Sequence, residues 1–289
     1  YLNGYVRNCR NDVYVHLEEV EGDGDAMSKK AGVNNAWKHI LAITLVIFTA
    51  FPIYVVIVTS FDPTGGISSS SLLPVKFSFD NYTLLFTDPR VPYWAWMKNS
   101  LIIATATAIS SVFIGAAAAF AFSRLRFKGR RIGLKALLLI QVFPSFLSLS
   151  AIYVIMERVF LITPTFGIGS VWGLYLIYIG GALGVNVWLL KGFLDSIPLE
   201  LDESARLDGA SVPQVFWLIF LPLAAPVLAV IAVLSFIGTF NEFILARLFL
   251  VDMESRTVAV GLQQFIGGQY SENWGPFAAG SIIASVPIV

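Results

Sequence analysis

The sequence has very few of the residues that build metal centres and disulfides. Cys9 is the only cysteine among 289 residues, and the two histidines are His16 and His39. A single thiol excludes an intrachain disulfide and any site made of several thiolates, and both histidines lie outside the long apolar stretches. We therefore expect no metal site and no cofactor bound by this chain.

Net charge is also absent, because 19 Lys and Arg residues balance 19 Asp and Glu residues. Without a positive field, the chain has no general attraction for nucleic acid. Only 13% of residues are charged, whereas 56% are hydrophobic and the mean hydropathy is +0.74. This is more apolar surface than one soluble core could bury, which indicates an all-α, polytopic membrane helix bundle. We expect six transmembrane helices.

The amino-terminal part of the chain is polar and differs from everything after it. Residues 1–37 include an acidic run and have no helical apolar face, so we expect this segment to be disordered. Met27 followed by Ser and two Lys resembles an ordinary translation start, and one hypothesis is that the functional protein begins there. The segment 38–61 is predicted to be the first transmembrane helix, because its apolar stretch of about 20 residues is long enough to cross a bilayer.

The loop at 61–98 ends in a group of aromatic residues just before the second predicted span, Ser100–Phe122. Tyr93, Trp94 and Trp96 are typical of the aromatic belt at a membrane interface, and stacking on sugar is the alternative interpretation. The main transmembrane domain of the chain is predicted to extend over 98–289.

A basic cluster follows the second span and fixes the predicted orientation. By the positive-inside rule this short loop is cytoplasmic, and nucleic-acid binding is the less favoured alternative. Counting spans then places both termini and the loop at 191–222 inside, whereas the last span, Gly275–Val289, stops short of a full crossing. The cluster consists of Arg124, Arg126, Lys128, Arg130, Arg131 and Lys135.

The third predicted span, Gly133–Met156, carries polar residues at helical spacing. Gln141, Ser145 and Ser148 are four and three residues apart, which places them on one face of a continuous helix. A polar face at membrane depth should contact protein or water, so these residues either line a translocation path or form hydrogen bonds between helices.

The fourth and fifth predicted spans are Ile168–Leu190 and a segment from Leu223 to about Ala246. In the fifth span, Ser235, Thr239 and Glu242 are predicted to share one helix face. An ionisable residue is costly in lipid, so Glu242 indicates a translocation path or a buried partner, unless it reaches the interface.

A polar loop, 195–222, separates the fourth and fifth spans. Asp195 and Ser196 are helix-start residues, and Gly209 is a predicted helix stop. Ser211 with Gln214 then predicts a second helix start with a capping box. The loop should therefore form a bent pair of short helices at the inner face of the membrane.

Within this loop the chain carries the run Glu203-Ser204-Ala205-Arg206-Leu207-Asp208-Gly209-Ala210, followed after eight residues by Ile219-Phe220-Leu221-Pro222. The pattern resembles the cytoplasmic EAA loop of ABC importer permeases, with Ser204 standing where the family usually has Ala. The segments 221–236 and 258–264, together with Phe143-Pro144, look like the smaller permease of maltose/maltodextrin importers.

The resemblance implies a role for the loop and a set of partners. In such importers this loop docks onto a cytoplasmic ATPase, a role that falls here on Glu203, Ser204, Ala205, Asp208, Gly209 and Ala210. The implied assembly has a second homologous permease, two ABC ATPase subunits that carry ATP and Mg, and an extracytoplasmic sugar-binding protein. That binding protein would be contacted by Gly267, Gly268 and Gln269.

The resemblance also implies a non-catalytic sugar permease of the bacterial or archaeal cytoplasmic membrane, working by alternating access on maltose, maltodextrin or a related α-glucoside. The chain has no phosphate-binding Gly-x-x-x-x-Gly-Lys-Ser/Thr loop, so the ATPase must be a separate subunit. The alternatives are an intramembrane enzyme, which would need paired catalytic groups, and an ion-coupled transporter, which normally carries several buried charges. Neither set of residues is evident in the predicted spans.

Overall fold

The structure is a computed structural model that describes residues 37–63, 76–142, 145–267 and 273–289. Every regular element in these ranges is a helix, in agreement with the predicted all-α class. The chain divides into two units, Tyr1–Val58 and Thr59–Val289. Residues 1–36 of the predicted disordered segment, including Met27, lie outside the described residues, whereas Trp37 begins the first helix.

One long apolar helix, α1, spans Trp37–Ser60, and all but its last two residues belong to the first unit. Side chains are exposed along nearly the whole length of this helix; Phe48, for example, is 75% exposed. A 24-residue helix that is apolar on all sides is long enough to cross a membrane, as predicted for 38–61.

The second unit is built around α3, a 32-residue helix at Tyr93–Arg124 that follows the short helix α2 at Asp80–Thr87. The buried side of α3 is rich in small residues, among them Ala104, Ala116 and Ala119. Small side chains let neighbouring helix backbones approach closely, which suits a helix surrounded by other helices in lipid. The helix begins before the predicted start at Ser100.

The prediction of one continuous third span was wrong. The structure has two helices, α4 at Arg130–Val142 and α5 at Ser145–Ile162, whose axes differ by 102°. The break falls at 143–144, outside the described residues, where the sequence has Pro144; proline has no N–H to donate and disfavours helical geometry in the residue before it. Gln141 therefore does not share a helix face with Ser145 and Ser148.

The fourth span is also interrupted. Helix α6 at Val171–Gly180 is followed by a 3₁₀ turn at Gly181–Leu183 and then by α7 at Val185–Ser196. The break lies at the glycine-rich centre of the predicted fourth span, and glycine is a poor helix former.

The predicted limits of the fifth span were wrong at both ends. Helix α9 runs over Val212–Phe240, starts well before Pro222, and ends before Glu242. A π-helical segment precedes the proline, and in it the Leu221 N–H donates to the Phe216 carbonyl. This wider turn lets the helix pass through Pro222, which has no N–H of its own. The next helix, α10, spans Ile244–Phe249.

The end of the second unit packs against the amino-terminal end of α3 through two short helices, α11 at Val258–Leu262 and α12 at Trp274–Ser285. Tyr93 Oη donates to the Gly280 carbonyl (2.7 Å), and Trp96 Nε1 donates to the Met253 carbonyl (2.7 Å). Both aromatic side chains are buried, so the interface-belt interpretation was wrong for them. Trp94 is 69% exposed and remains a candidate belt residue.

Within the described residues, three helices are long and apolar enough to cross a membrane by themselves: α1, α3 and α9. The pair α4 and α5 could form a fourth, broken crossing. The 12 residues of α12 are too few for a complete span, as expected for the sixth segment. The count of six crossings stays a prediction.

Candidate functional site

The polar loop between the fourth and fifth spans contains one short helix, α8, at Glu200–Leu207. It ends where the sequence predicted, because Gly209 adopts φ +89°. The Gly209 N–H donates to the Arg206 carbonyl (3.0 Å) and the Ala210 N–H donates to the Ala205 carbonyl (2.9 Å). These two bonds form a Schellman motif, which fixes the direction in which the chain leaves the helix.

The second helix of the predicted pair is the beginning of α9. The Ser211 N–H donates to Gln214 Oε1 (2.8 Å), as expected for the capping box. The loop therefore turns sharply between α8 and α9, and both sides of the turn are held by local hydrogen bonds.

The predicted helix start at Asp195 and Ser196 was wrong, since both residues lie at the end of α7. The Asp195 carboxylate caps no helix start; it accepts hydrogen bonds from Ser123 Oγ (2.7 Å) and Lys191 Nζ. Burial alone raises the pKa of Asp195. The two hydrogen bonds and the nearby positive charges lower it by more than burial raises it, so the pKa lies below its usual value. The carboxylate is therefore ionised at neutral pH and ties α7 to the end of α3.

The six predicted docking residues divide into two groups in the structure. Glu203, Ser204, Asp208 and Gly209 are exposed. The two alanines are half-buried and pack against a core cluster that includes Leu194 and Phe216. Ala205 and Ala210 therefore seat the loop on the bundle, while the other four residues form its outer surface.

An ion pair that the sequence did not reveal fastens the loop to α3. Arg124 Nε lies 2.8 Å from Asp202 Oδ2, and the two side chains are only 5% and 12% exposed. The same guanidinium donates to the Ile197 carbonyl (2.9 Å). Arg124 had been grouped with the basic cluster, and no local pattern distinguishes it from its neighbours there.

An exposed apolar residue on α8 was also missed. Leu207 is 90% exposed, at the carboxyl end of the helix and next to Asp208. A single exposed leucine is not unusual, but here it stands on the same surface as the predicted docking residues. Its position between motif residues was the only sequence indication.

A cavity of about 230 Å³, lined by several polar residues, lies within the second unit, between α3, α6, α7 and α9. It brings together the three predicted path residues of the fifth span: Ser235, Thr239 and Glu242. Sequence analysis missed the polar residues that other helices contribute to its lining, namely Thr107, Ser111, Tyr178 and Asn186.

Glu242 lies in the break between α9 and α10. Its carboxylate accepts hydrogen bonds from the backbone N–H of Leu245 (2.8 Å) and Ala246 (3.0 Å) at the start of α10. Tyr178 Oη, close to the break after α6, donates to Glu242 Oε2 (2.5 Å). Glu242 therefore has a half-buried partner, and it joins two interrupted spans at the points where they are broken.

The other predicted site residues lie elsewhere. Gln141 is exposed and its amide donates to the Leu137 carbonyl of its own helix (3.1 Å), so it does not line the cavity. Ser148 is half-buried in α5, and nothing brings it to the cavity either. Gly267 follows a 3₁₀ turn and donates its N–H to the Gln263 carbonyl (2.8 Å), whereas Gly268 and Gln269 lie outside the described residues.

Comparison of the sequence with known protein families identifies the family of this chain. A family model described as "Binding-protein-dependent transport system inner membrane component" matches residues 111–289, which include the docking loop and the cavity helices α7 and α9. The chain belongs to this family. It is thus an inner-membrane permease component of a transport system that depends on a binding protein.

The permease is similar to several proteins described as maltose/maltodextrin transport system permease protein MalG. It is 37% identical over 261 residues to that of Yersinia pestis, covering 86% of the permease and 85% of the relative. Identity to that of Salmonella typhimurium is 38% over 258 residues, with 84% and 86% covered. Identity to that of Escherichia coli strain K12 is 36% over 261 residues, with 86% and 87% covered.

Two solved structures share the fold of the permease. One is a chain of a bacterial ABC transporter involved in the import of the acidic polysaccharide alginate, with a TM-score of 0.74, 22% identity, and coverage of 89% of the permease and 92% of that chain. The other is from a bacterial alginate ABC transporter in complex with alginate pentasaccharide-bound periplasmic protein, with a TM-score of 0.64, 18% identity, and coverage of 90% and 91%. At these identities the likeness concerns the fold alone.

Proposed function

We propose that this permease is a membrane subunit of an ATP-driven importer that moves maltose, maltodextrin or a related α-glucoside into the cell. The observation that carries the proposal is the docking loop, whose exposed surface stands on a helix fastened to a membrane-spanning helix by the Arg124–Asp202 ion pair. The names of relatives at 36–38% identity support the sugar class.

The partner at the docking loop is a separate ABC ATPase subunit, present twice in the assembly and carrying ATP and Mg. Glu203, Ser204, Leu207, Asp208 and Gly209 offer it two carboxylates, an apolar side chain and a close backbone approach. Because the loop continues directly into α9 and is bonded to α3, movement of a docked subunit would displace both helices. Alternating access would follow from that displacement.

A second, homologous permease completes the membrane part of the proposed assembly. An apolar groove of about 530 Å³ runs between α3 and α9, and exposed Ile109, Phe113 and Val233 line it. A groove of this kind suits a helix of another membrane subunit as well as lipid. On the outer side, the loop around Gly267 is the proposed contact for the sugar-binding protein, and both chain termini are proposed to lie in the cytoplasm of a bacterium or archaeon.

The decisive experiment is sugar uptake by the assembly reconstituted in vesicles. Labelled maltose should enter only when the binding protein, the second permease and the ATPase are all present and ATP is supplied. Maltose uptake without any ATPase subunit would contradict the proposal.

Replacing Gly209 tests the docking loop in the same assay. Nothing lies within 4 Å of a Cβ placed at Gly209, so the effect of a side chain there would come from φ +89° and not from crowding. Gly209→Val should lower ATPase binding and uptake while the permease still inserts. Gly209→Asn is the matched control, because asparagine tolerates this backbone region far better than valine.

A further inference from the structure

The connection between α3 and α4 carries a dense group of positive charges. Residues 126–132, the basic turn, form a concave surface with a volume of about 670 Å³. Four of its residues are Arg or Lys and none is acidic: Arg126, Lys128, Arg130 and Arg131. The positive charge is therefore not compensated within the surface itself.

Three of these four cations have no partner in the described part of the chain. Arg130 is the exception, because its guanidinium donates to the Ser123 carbonyl at the end of α3 (3.1 Å). The side chains of Arg126, Lys128 and Arg131 are exposed and form no ion pair or hydrogen bond with any described residue. These three groups are free to contact an anion from outside the protein.

Exposed apolar side chains lie beside the free cations. Phe127 is 45% exposed and Ile132 is 74% exposed. The apolar surface continues along α4, which has no buried residue and exposes Leu139 and Ile140. The basic residues of α4, in contrast, all lie within its first two turns. The surface therefore changes from charged to apolar along one helix, as it would at the boundary between lipid headgroups and hydrocarbon.

The basic turn has a defined shape. Gly129 adopts φ +90°, and its carbonyl accepts a hydrogen bond from the Gly133 N–H (2.8 Å). A Cβ on Gly133 would lie 3.2 Å from the Phe122 ring, so α4 approaches α3 closely at this point. The Phe127 ring packs on the same Phe122 ring, with centroids 5.6 Å apart. The free cations therefore belong to a packed turn whose position relative to α3 is fixed.

We propose that the basic turn binds the headgroup of an anionic phospholipid. Arg126, Lys128 and Arg131 contact the lipid phosphate, and Phe127 and Ile132 contact the beginning of the acyl chains. Each Arg or Lys near an anionic membrane surface favours binding, and hydrogen bonds from a cation to phosphate are strong. This site is separate from the proposed transport function, since it involves neither the sugar nor the ATPase.

A lipid fits this surface better than a soluble subunit does. The basic turn directly follows α3, whose 32 residues are long enough to bring its last turn to the membrane surface. The exposed apolar residues of α4 begin within the basic turn itself, at Ile132. The charges therefore lie where hydrocarbon begins, and a cation at this depth meets lipid phosphate before it meets a soluble protein.

The test is photochemical cross-linking in the complete reconstituted assembly. A benzophenone amino acid replaces Ile132, and the vesicles contain phosphatidylcholine and phosphatidylglycerol with the same acyl chains in a ratio of three to one. After illumination, mass spectrometry of the permease gives the ratio of the two lipid adducts. Leu139 is the matched control position, because it is 71% exposed and lies on the same face of α4, about 10 Å farther along the helix.

At position 132, phosphatidylglycerol should be enriched at least about fivefold over its share of the bilayer, the effect of one favourable charge contact at a membrane surface. At position 139, the adducts should match the composition of the bilayer. Adducts at position 132 without this enrichment would overturn the proposal. A cross-link from position 132 to the ATPase subunit in place of lipid would also overturn it.

Two charge variants separate a local site from a general effect of net charge. The first removes the three free cations: Arg126→Gln, Lys128→Gln and Arg131→Gln. The second removes the same charge from exposed positions outside the basic turn: Lys76→Gln, Lys98→Gln and Arg158→Gln. Enrichment at position 132 should fall below about twofold in the first variant and persist in the second. Equal loss in both variants, or unchanged enrichment in the first, would contradict the proposal.

A salt series tests the same contact with all the charges of the permease in place. Raising the ionic strength from about 0.1 M to about 1 M shortens the Debye length from about 10 Å to about 3 Å. Enrichment at position 132 should therefore fall towards the bilayer composition, while the adduct ratio at position 139 stays constant. Enrichment that persists at high salt would show that charge does not hold the lipid, and the proposal would be wrong.

Discussion

At the scale of single residues, the buried ion pair between Arg124 and Asp202 fastens the predicted docking loop to α3. Both side chains are almost removed from water, so each charge needs the other. Removing one partner of such a pair is strongly destabilising, whereas replacing both by apolar residues is often neutral. This asymmetry distinguishes the ion pair from the exposed charges of the neighbouring basic cluster.

We expect Asp202→Asn to destabilise the loop by about 3–5 kcal/mol, because Arg124 is left as an uncompensated buried charge. The measurement is the thermal unfolding midpoint of the purified assembly, together with the ATPase bound per permease. The double variant Arg124→Met with Asp202→Leu should recover most of the stability. A single variant as stable as the parent would show that the pair is open to water.

A second residue-scale prediction concerns Leu207, which is 90% exposed in the permease alone. If it becomes buried against the ATPase, Leu207→Ser should weaken subunit binding by about 1–3 kcal/mol, the usual contribution of a buried leucine. Leu207→Met, which keeps an apolar side chain, should bind nearly as well. Binding is measured by titrating purified ATPase onto the permease in detergent, and unchanged affinity of the serine variant would place Leu207 outside the interface.

At the scale of secondary-structure elements, the membrane helices are interrupted more often than the hydropathy of the sequence suggests. Helices α6 and α7 are separated by a 3₁₀ turn, and α9 ends before α10 at Glu242. The free backbone N–H groups at the second break are satisfied by the Glu242 carboxylate. A break at membrane depth is tolerated when its backbone groups are paired within the protein.

The sequence predicted the elements that depend on local chemistry and missed those that depend on tertiary contacts. Gly209 and the Ser211 capping box were identified because glycine and capping residues act within one turn. The break between α9 and α10 at Asn241 to Phe243 was not identified, because Glu242 in that break is bonded to Tyr178, which is distant in the sequence. The continuation of α9 through Pro222 into the fifth span was also missed, since a π-helical turn overrides the usual effect of that proline.

The link between the two breaks can be measured with a double-mutant cycle. Glu242→Ala removes the cap of α10, at a cost of about 1 kcal/mol, and leaves the Tyr178 hydroxyl unpaired at about 1–3 kcal/mol more. Tyr178→Phe removes only the hydrogen bond. Because the two residues are in contact, the double variant should be no less stable than Glu242→Ala alone. Strictly additive losses in thermal midpoint would show that the residues act independently.

At the scale of the whole second unit, α3 connects the predicted docking loop to the helices α11 and α12 at its amino-terminal end. Arg124, at its last turn, holds Asp202, and Trp96, near its first turn, is buried against α11. A helix of 32 residues is about 48 Å long at 1.5 Å per residue, which is more than the thickness of the hydrocarbon core. Movement of one end of α3 should therefore displace the other end, provided that both ends stay packed against their neighbours.

The sequence identified this arrangement only in part. The docking loop was predicted from its motif and stays a prediction, whereas the membrane class was predicted from composition and is supported by the apolar helices. Trp96 was assigned to a membrane interface because nothing in its neighbourhood shows that Gly261 would pack against its ring. Contacts between distant segments need the folded chain.

The contact between Trp96 and Gly261 allows a test of long-range coupling. A Cβ at Gly261 would lie 2.2 Å from the Trp96 ring, so Gly261→Ala must displace α11 from α3. We expect a loss of about 1–3 kcal/mol from overpacking, and weaker stimulation of ATP hydrolysis by the sugar-loaded binding protein, while basal hydrolysis persists. Gly192→Ala is the matched control: nothing lies within 4 Å of its Cβ, and alanine favours the helix there by about 1 kcal/mol. Full stimulation in Gly261→Ala would mean that the amino-terminal end of α3 does not take part in coupling, and the signal would have to travel through α9 instead.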